Sequence, residues 1–333
     1  MQIDPDKELY KKHDAADGRP PLVVLTGPTA VGKTALSIAL ARAVNGEIIS
    51  ADSMQVYRHM NIGSAKITRQ EMQEIRHYMI DILEPWEDFN VVDFQRRCKE
   101  AVTEIYDRGK LPILVGGTGF YIQAVLRVID YTENSGDESY RRHLEQIAAE
   151  KGAETLHRML EEVDAPSAEA IPAGNVKRVV RALEFFYFTG KRISEHNEEE
   201  RRRENVYNAC YFVLNDDREK LYQRIEKRVD GMLEQGLVAE VESLKAMGCR
   251  RGQTAMQGLG YKEILDYLDG ACTLEEAVNL IKRDTRHFAK RQLTWFRREK
   301  DVIWLNRPDF PEENQDGAIL QVMLKHMREQ HVI

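Results

Sequence analysis

The sequence predicts an α/β fold: a doubly wound parallel sheet built on a phosphate-binding loop (P-loop), with a helical insertion domain. Three observations carry this. The apolar runs "PLVVLTG", "GEIISAD" and "LPILVGGTG" are each followed by a helix-compatible segment, and strands that alternate with helices form a parallel sheet covered on both faces. The stretch "GPTAVGKT" stands between the first run and its helix, the place a phosphate-cradling loop requires. From about Asp137 to Tyr207 the strand pattern gives way to helical spacing.

Taken in order, residues 1–20 read as a flexible leader, and residues 21–136 as the first part of the core with its three strands. Residues 137–207, which include "ESYRRHLEQIAAEKGAETLHRMLEEVD", form the helical insertion. Residues 208–333 return to the core through a last strand, "ACYFVLN", and continue as helices, with Asp216 or Asp217 as the cap of the first.

With 333 residues, 42% of them apolar, the chain can bury a substantial core. No stretch approaches the roughly 18 apolar residues that span a membrane, and the N-terminus lacks a signal peptide's apolar centre. A cytoplasmic protein without membrane contact is expected, acting as a monomer with no obligate protein partner. Cys98, Cys210, Cys249 and Cys272 form no Cys-x-x-Cys pair, which argues against a disulfide framework and a zinc site. The net charge of -7 argues against nucleic acid, but Ile281–Lys300 sets eight Lys/Arg against two acids, a basic helix suited to phosphate backbones. Its Phe288, Trp295 and Phe296 share one stripe and are expected to pack in the core. The run "KRISEHNEEERRR" balances five bases with four acids and reads as a solvated face.

Gly27, Pro28, Thr29, Ala30, Val31, Gly32, Lys33 and Thr34 match the G-x-x-x-x-G-K-[ST] pattern. Inward-turned amides, the positive end of the following helix and the Lys33 charge would hold a diphosphate or triphosphate, and the Thr34 hydroxyl can ligate Mg²⁺. Asp52 ends the second run, where parallel sheets hold ligands. Capping a helix over "SMQVYRHM", holding Mg²⁺ through water and acting as general base all remain open for it. "ILVGGTGFY" lacks the strand-end acid that P-loop hydrolases use for Mg²⁺, which weakens a hydrolase reading. Gly116, Gly117 and Gly119 serve a tight turn or a close ligand approach, and Thr118 offers a hydroxyl. Lys177, Arg178 and Arg181 form a positive helix edge whose buried side is Val179, Val180 and Leu183. Arg224 and Arg228 lie at i, i+4; contact with phosphate and intrahelical pairing with Glu226 or Asp230 are both open.

In order, "GPTAVGKT", "ISADSMQVY", "IGSAK", "HYMIDILEP", "LVGGTGFY", "NVKRVVRALE", "GLGYKE" and "TRHFAKRQLTWFR" resemble the serial motifs of bacterial tRNA dimethylallyltransferases, also called tRNA isopentenyltransferases. The resemblance runs from about Pro21 to Trp304. Ser64 and Ile67 stand where the family often has Thr and Pro, and the scattered cysteines do not match the zinc finger of eukaryotic members.

The resemblance implies transfer of a dimethylallyl group from dimethylallyl diphosphate to the exocyclic amine of the adenosine 3′ of the anticodon, with Mg²⁺ as cofactor. Asp52, Thr118 and Lys33 would be the catalytic residues, with Asp52 as base. Gly27 to Thr34, Arg224 and Arg228 would hold the diphosphate. The tRNA contacts would be Asp52, Ser53, Met54, Gln55, Thr118, Arg141, Lys177, Arg178, Val179, Val180, Arg181, Gln257, Gly258, Leu259, Gly260, Tyr261 and Lys262. A P-loop kinase of a small molecule or nucleotide, and a prenyltransferase of free AMP or ATP, stand beside this reading; the second gives no purpose to the insertion and the basic helix, and the first must account for the missing strand-end acid.

Overall fold

The computed structural model describes residues 18–127 and 138–333. Most of the expected leader and the expected boundary at 136/137 lie outside the described residues. The chain separates into two compact units, Met1–Leu126 with Val206–Ile333, and Arg127–Asn205.

The first unit runs β1 (Pro21–Thr26), α1 (Lys33–Ala43), β2 (Gly46–Ala51), the single turn α2 (Arg69–Met72), β3 (His77–Tyr78), α3 (Val91–Asp107), β4 (Leu111–Gly116) and α4 (Gly119–Arg127). The helical unit holds α5 (Glu138–Lys151), α6 (Ala153–Val163), α7 (Ala165–Ala170), α8 (Val176–Thr189) and α9 (Ile193–Arg202). The first unit then resumes with β5 (Asn208–Asn215), α10 (Arg218–Glu234), α11 (Leu237–Ala246), α12 (Tyr261–Leu268), α13 (Leu274–Phe296), β6 (Val302–Asn306) and α14 (Gln315–Glu329).

All six strands are parallel, in the order β3-β2-β4-β1-β5-β6. The unbroken apolar runs follow from burial of both faces. Leu22 and Val24 of β1 face one core with Phe94, Ile122 and Ile281; Val23 and Leu25 face the other with Leu36, Leu40 and Met323. The chain leaves β1 toward β2 and leaves β4 toward β5, on the opposite side of the sheet. The carboxyl ends of β1 and β4 therefore flank the switch point at which such sheets open a crevice.

Two strands depart from the sequence expectation. "ACYFVLN" is not the last strand: β6 pairs with β5, Phe212 opposite Ile303. Only Leu305 of β6 is fully buried, so this short edge strand lacks the apolar signature of a central one. The two-residue β3 is too short to show a period. Asp217 caps α10, its carboxylate accepting from the Glu219 and Lys220 amides. Among the described residues no helix is long and apolar enough to cross a membrane.

The helical unit packs its own core from Leu144, Leu156, Leu160, Val179, Val180 and Leu183. Asp164, buried, caps α7 through the Ser167 amide and hydroxyl and also accepts from the Ser194 amide.

Candidate active site

The Gly27–Thr34 loop follows β1, whose Thr26 hydroxyl donates to the Gly116 carbonyl at 2.7 Å and so ties together the ends of β1 and β4. Gly27 (φ +145°) lies against the Leu214 carbonyl and Gly32 (φ +99°) against the Arg307 guanidinium, leaving no room for a Cβ. Ala30 also has positive φ, 63°. Gly32 is the N-cap of α1 and supplies no side-chain acceptor, which leaves the first amides of the helix for an anion.

A cavity of about 820 Å³ opens over this loop, lined by Thr29 to Thr34, Asp52 to Gln55, Gly117 and Thr118, Arg228, Gln257 to Leu259 and Lys262. Residues remote in sequence are thus brought together as one wall. Val229, Met232, Leu259, Ile281 and Phe288 give it an apolar side. Gly27 and Pro28 are absent from the lining. Their carbonyls instead accept from Lys33 Nζ, at 2.9 and 2.8 Å. Arg228 Nη1 lies 3.4 Å from the Thr29 hydroxyl.

Lys33, Arg228 and Asp52 act on one another inside the cavity. Burial brings the Lys33 ammonium down to about 7, helped by Arg228 and opposed by Asp52. Burial lifts the Asp52 carboxyl above its usual range, against hydrogen bonds from the Met54 and Gln55 amides and the Lys33 and Arg228 charges. No helix follows Asp52. Its Oδ1 accepts from the Met54 amide at 2.9 Å and closes a turn, so the cap reading survives only as a local turn.

The cavity wall beside Asp52 is braced. Gln55 accepts from the Ser50 hydroxyl at 2.9 Å, and its Nε2 lies 3.4 Å from the carbonyls of both Ser64 and Ala65. The Glu240 carboxylate accepts from the amides of Asn61, Ile62 and Gly63 and from the Tyr261 hydroxyl. This corrects the expectation for Tyr261. It is fully buried, and its hydroxyl also accepts from the Ser64 amide at 3.1 Å, so it supports the wall from behind. Gly260 (φ +92°) is the N-cap of α12 and does not line the cavity. Ser64, which stands where the family often has Thr, donates to the Met60 carbonyl at 2.6 Å.

Other expected residues have different partners. Arg224 pairs with buried Asp216 and stays out of the cavity lining; Glu226 and Asp230 pair with Arg286 and Lys282 of α13. Neither proposed intrahelical pair forms, because α13 packs alongside and supplies the cations. In the helical unit, Arg141 grips Glu184 through two bonds of 2.9 Å. Val179 and Val180 are core side chains, 0% and 3% exposed, which corrects their expectation as tRNA contacts. Phe288 lines the cavity, whereas Trp295 and Phe296 pack in the core as expected.

Gly116, Gly117 and Gly119 serve close packing: a Cβ would strike the Ala51 carbonyl, the Gln292 amide and the Trp295 ring, respectively. Gln292 is a site residue that the sequence reading missed. It accepts from the Thr29 amide and donates to the Gly117 carbonyl, both at 2.9 Å. The available signal was a polar residue on the apolar stripe of Phe288 and Phe296.

Among the described residues no group of three or more His, Cys, Asp or Glu could hold a metal ion. The Thr34 hydroxyl in the cavity is a hard oxygen and fits a Mg²⁺ that completes its shell with ligand phosphate and water.

The family model described as IPP transferase matches residues 55–299. The chain is 60% identical over 313 residues to the tRNA dimethylallyltransferase of Lachnoclostridium phytofermentans, covering 94% of this chain and 99% of that one. The crystal structure of the full-length tRNA isopentenylpyrophosphate transferase of Bacillus halodurans superposes with a TM-score of 0.71 at 43% identity, covering 94% of this chain and 98% of that one. A eukaryotic dimethylallyltransferase captured acting on tRNA superposes with a TM-score of 0.79 at 29% identity, covering 94% and 80%. With most of its length matched and its cavity assembled from the motifs that suggested the resemblance, the chain belongs to the tRNA dimethylallyltransferase (IPP transferase) family.

Proposed function

We propose that the protein transfers the dimethylallyl group of dimethylallyl diphosphate to N6 of the adenosine 3′ of the anticodon in tRNA, releasing diphosphate. One observation carries this reading: a cationic loop, the buried Asp52 carboxylate and an apolar wall share one cavity. The N6 lone pair attacks C1 of the allyl group as the C1–O bond breaks, and the diphosphate departs with that electron pair. The N6 proton passes to the Asp52 carboxylate, whose raised pKa suits a general base.

Charge grows on the leaving diphosphate, so Lys33, Arg228 and the loop amides stabilise the transition state more than the ground state. A Mg²⁺ bound at the Thr34 hydroxyl together with the diphosphate would add neutralising charge there. The apolar wall of Val229, Met232, Ile281 and Phe288 keeps water from the electron-deficient allyl carbon. The adenine must leave its stack to enter the cavity; Ser53 to Gln55 and Gln257 to Leu259 are the wall it meets, with Thr118 beside them. Lys177, Arg178 and Arg181 of the helical unit take tRNA phosphates, and a tRNA substrate places the enzyme in the cytosol.

The test supplies purified protein with labelled dimethylallyl diphosphate and either tRNA or AMP, and with labelled ATP and the same acceptors. Label in tRNA is expected. Label in AMP alone, or phosphoryl transfer from ATP, would overturn the proposal.

A further inference from the structure

We infer that Gln292 is a positioning residue that locks the diphosphate-binding loop to the end of β4, an inference that rests on the function proposed above. Gln292 is 6% exposed and each of its polar atoms bonds protein backbone. Oε1 accepts from the Thr29 amide and Nε2 donates to the Gly117 carbonyl, each at 2.9 Å. Through these two bonds Gln292 acts on the segments it joins.

These segments are the two sides of the site. Thr29 belongs to the loop that meets the leaving group, and Gly117 precedes Thr118 on the side of the incoming base. The loop also holds Ala30 at φ 63°, a conformation that persists only where its surroundings impose it. Two side-chain cross-links do so. Arg307 Nε donates to the Val31 carbonyl at 2.8 Å from the buried flank, and Gln292 holds Thr29 from the cavity flank. Gln292 lies on α13 and so ties the basic helix to the loop.

The chemistry selects glutamine. The site needs one acceptor and one donor on a planar group. Glutamate supplies two acceptors and sets an oxygen against the Gly117 carbonyl; methionine, of similar length, supplies neither bond. A protonated glutamic acid restores both, accepting through C=O and donating through O–H. The gap between Gln292→Glu and native protein should therefore narrow as pH falls.

The test uses the full chain and reads inorganic diphosphate binding by calorimetry, with prenyl transfer to tRNA measured in parallel. Gln292→Met is expected to weaken diphosphate binding about tenfold and to lower kcat, the scale of losing two loop-setting hydrogen bonds, while tRNA affinity holds. Gln292→Glu is expected to match it at pH 8 and to recover toward native affinity as pH falls to 5.5. Native diphosphate affinity in Gln292→Met, or a Glu-to-native ratio that is flat with pH, overturns the inference. So does an equal loss of tRNA affinity. If Gln292→Glu does not fold, Gln292→Met decides alone. Native protein that binds diphosphate but prenylates no tRNA would defeat the proposed function and leave the role of Gln292 to the binding measurement.

Discussion

The Lys33 ammonium and the Asp52 carboxylate bias each other across one cavity. Asp52 offsets the burial that brings Lys33 down to about 7, and Lys33 offsets the burial that lifts Asp52. This mutual bias underlies the first two predictions.

Asp52→Asn removes the proton acceptor but keeps the shape of the turn. Turnover should fall by a factor on the order of 10² or more, the usual scale for a general base, with tRNA binding nearly unchanged. In native protein the acid limb of kcat/KM should lie above the ordinary carboxylate range, because the folded pKa is raised and activity is lost as pH falls through it. Single-turnover assays across pH check this; native-like single-turnover rates in Asp52→Asn would refute the base role.

Lys33→Ala removes a cation that the loop holds through the Gly27 and Pro28 carbonyls. Binding of the allylic diphosphate should weaken by about 10- to 100-fold, as expected for one charge-assisted contact, while tRNA affinity holds. Filter binding of tRNA beside calorimetry of the diphosphate separates the two, and equal losses would give the loop another purpose.

Tyr261→Phe keeps the buried ring and deletes a hydroxyl bonded to Glu240 and Ser64. It should cost about 1 kcal/mol of stability and leave kcat for tRNA reduced, through a loosened wall at residues 61–65. Crosslinking of a photoreactive adenosine to this ring would show that the residue reaches the substrate after all.

Glu47, 1% exposed, accepts from Lys110 at 2.9 Å and from Tyr78 at 3.0 Å and pairs with Arg108. Burial pushes its carboxyl up, but the Lys110 and Tyr78 hydrogen bonds and the Lys110 and Arg108 charges hold it below its usual value of 4.5. A folded pKa below the unfolded one contributes stability that is present above the unfolded value and lost as pH falls through the folded one. Denaturant unfolding of native and Glu47→Gln protein should show a gap on the order of 1–2 kcal/mol at pH 7 that closes on acidification below about 4.5. A gap unchanged at pH 3 would contradict this.

Much of the framework was legible. The runs at 21–26, 46–51, 111–116 and 208–215 are strands because both faces of a parallel sheet are buried, which marks each run locally. Asp217 as a cap and the Gly27–Thr34 loop were equally local. The edge strand Val302–Asn306 escaped because three of its five residues before Leu305 are only half-buried. At the site, Asp52, Thr118, Gln257 and Lys262 do meet in one cavity, whereas Tyr261 is buried behind it and Arg224 is claimed by Asp216.

The sequence by itself determined four of the six strands, the loop motif and the family, since each is written in neighbouring residues or in a serial order of motifs. Tertiary structure alone decided which polar groups meet. Gln292 reaches Thr29 across 263 residues and Glu240 reaches Asn61 across 179. Hydrogen bonds depend on geometry within a few tenths of an ångström, and no spacing along the chain encodes that.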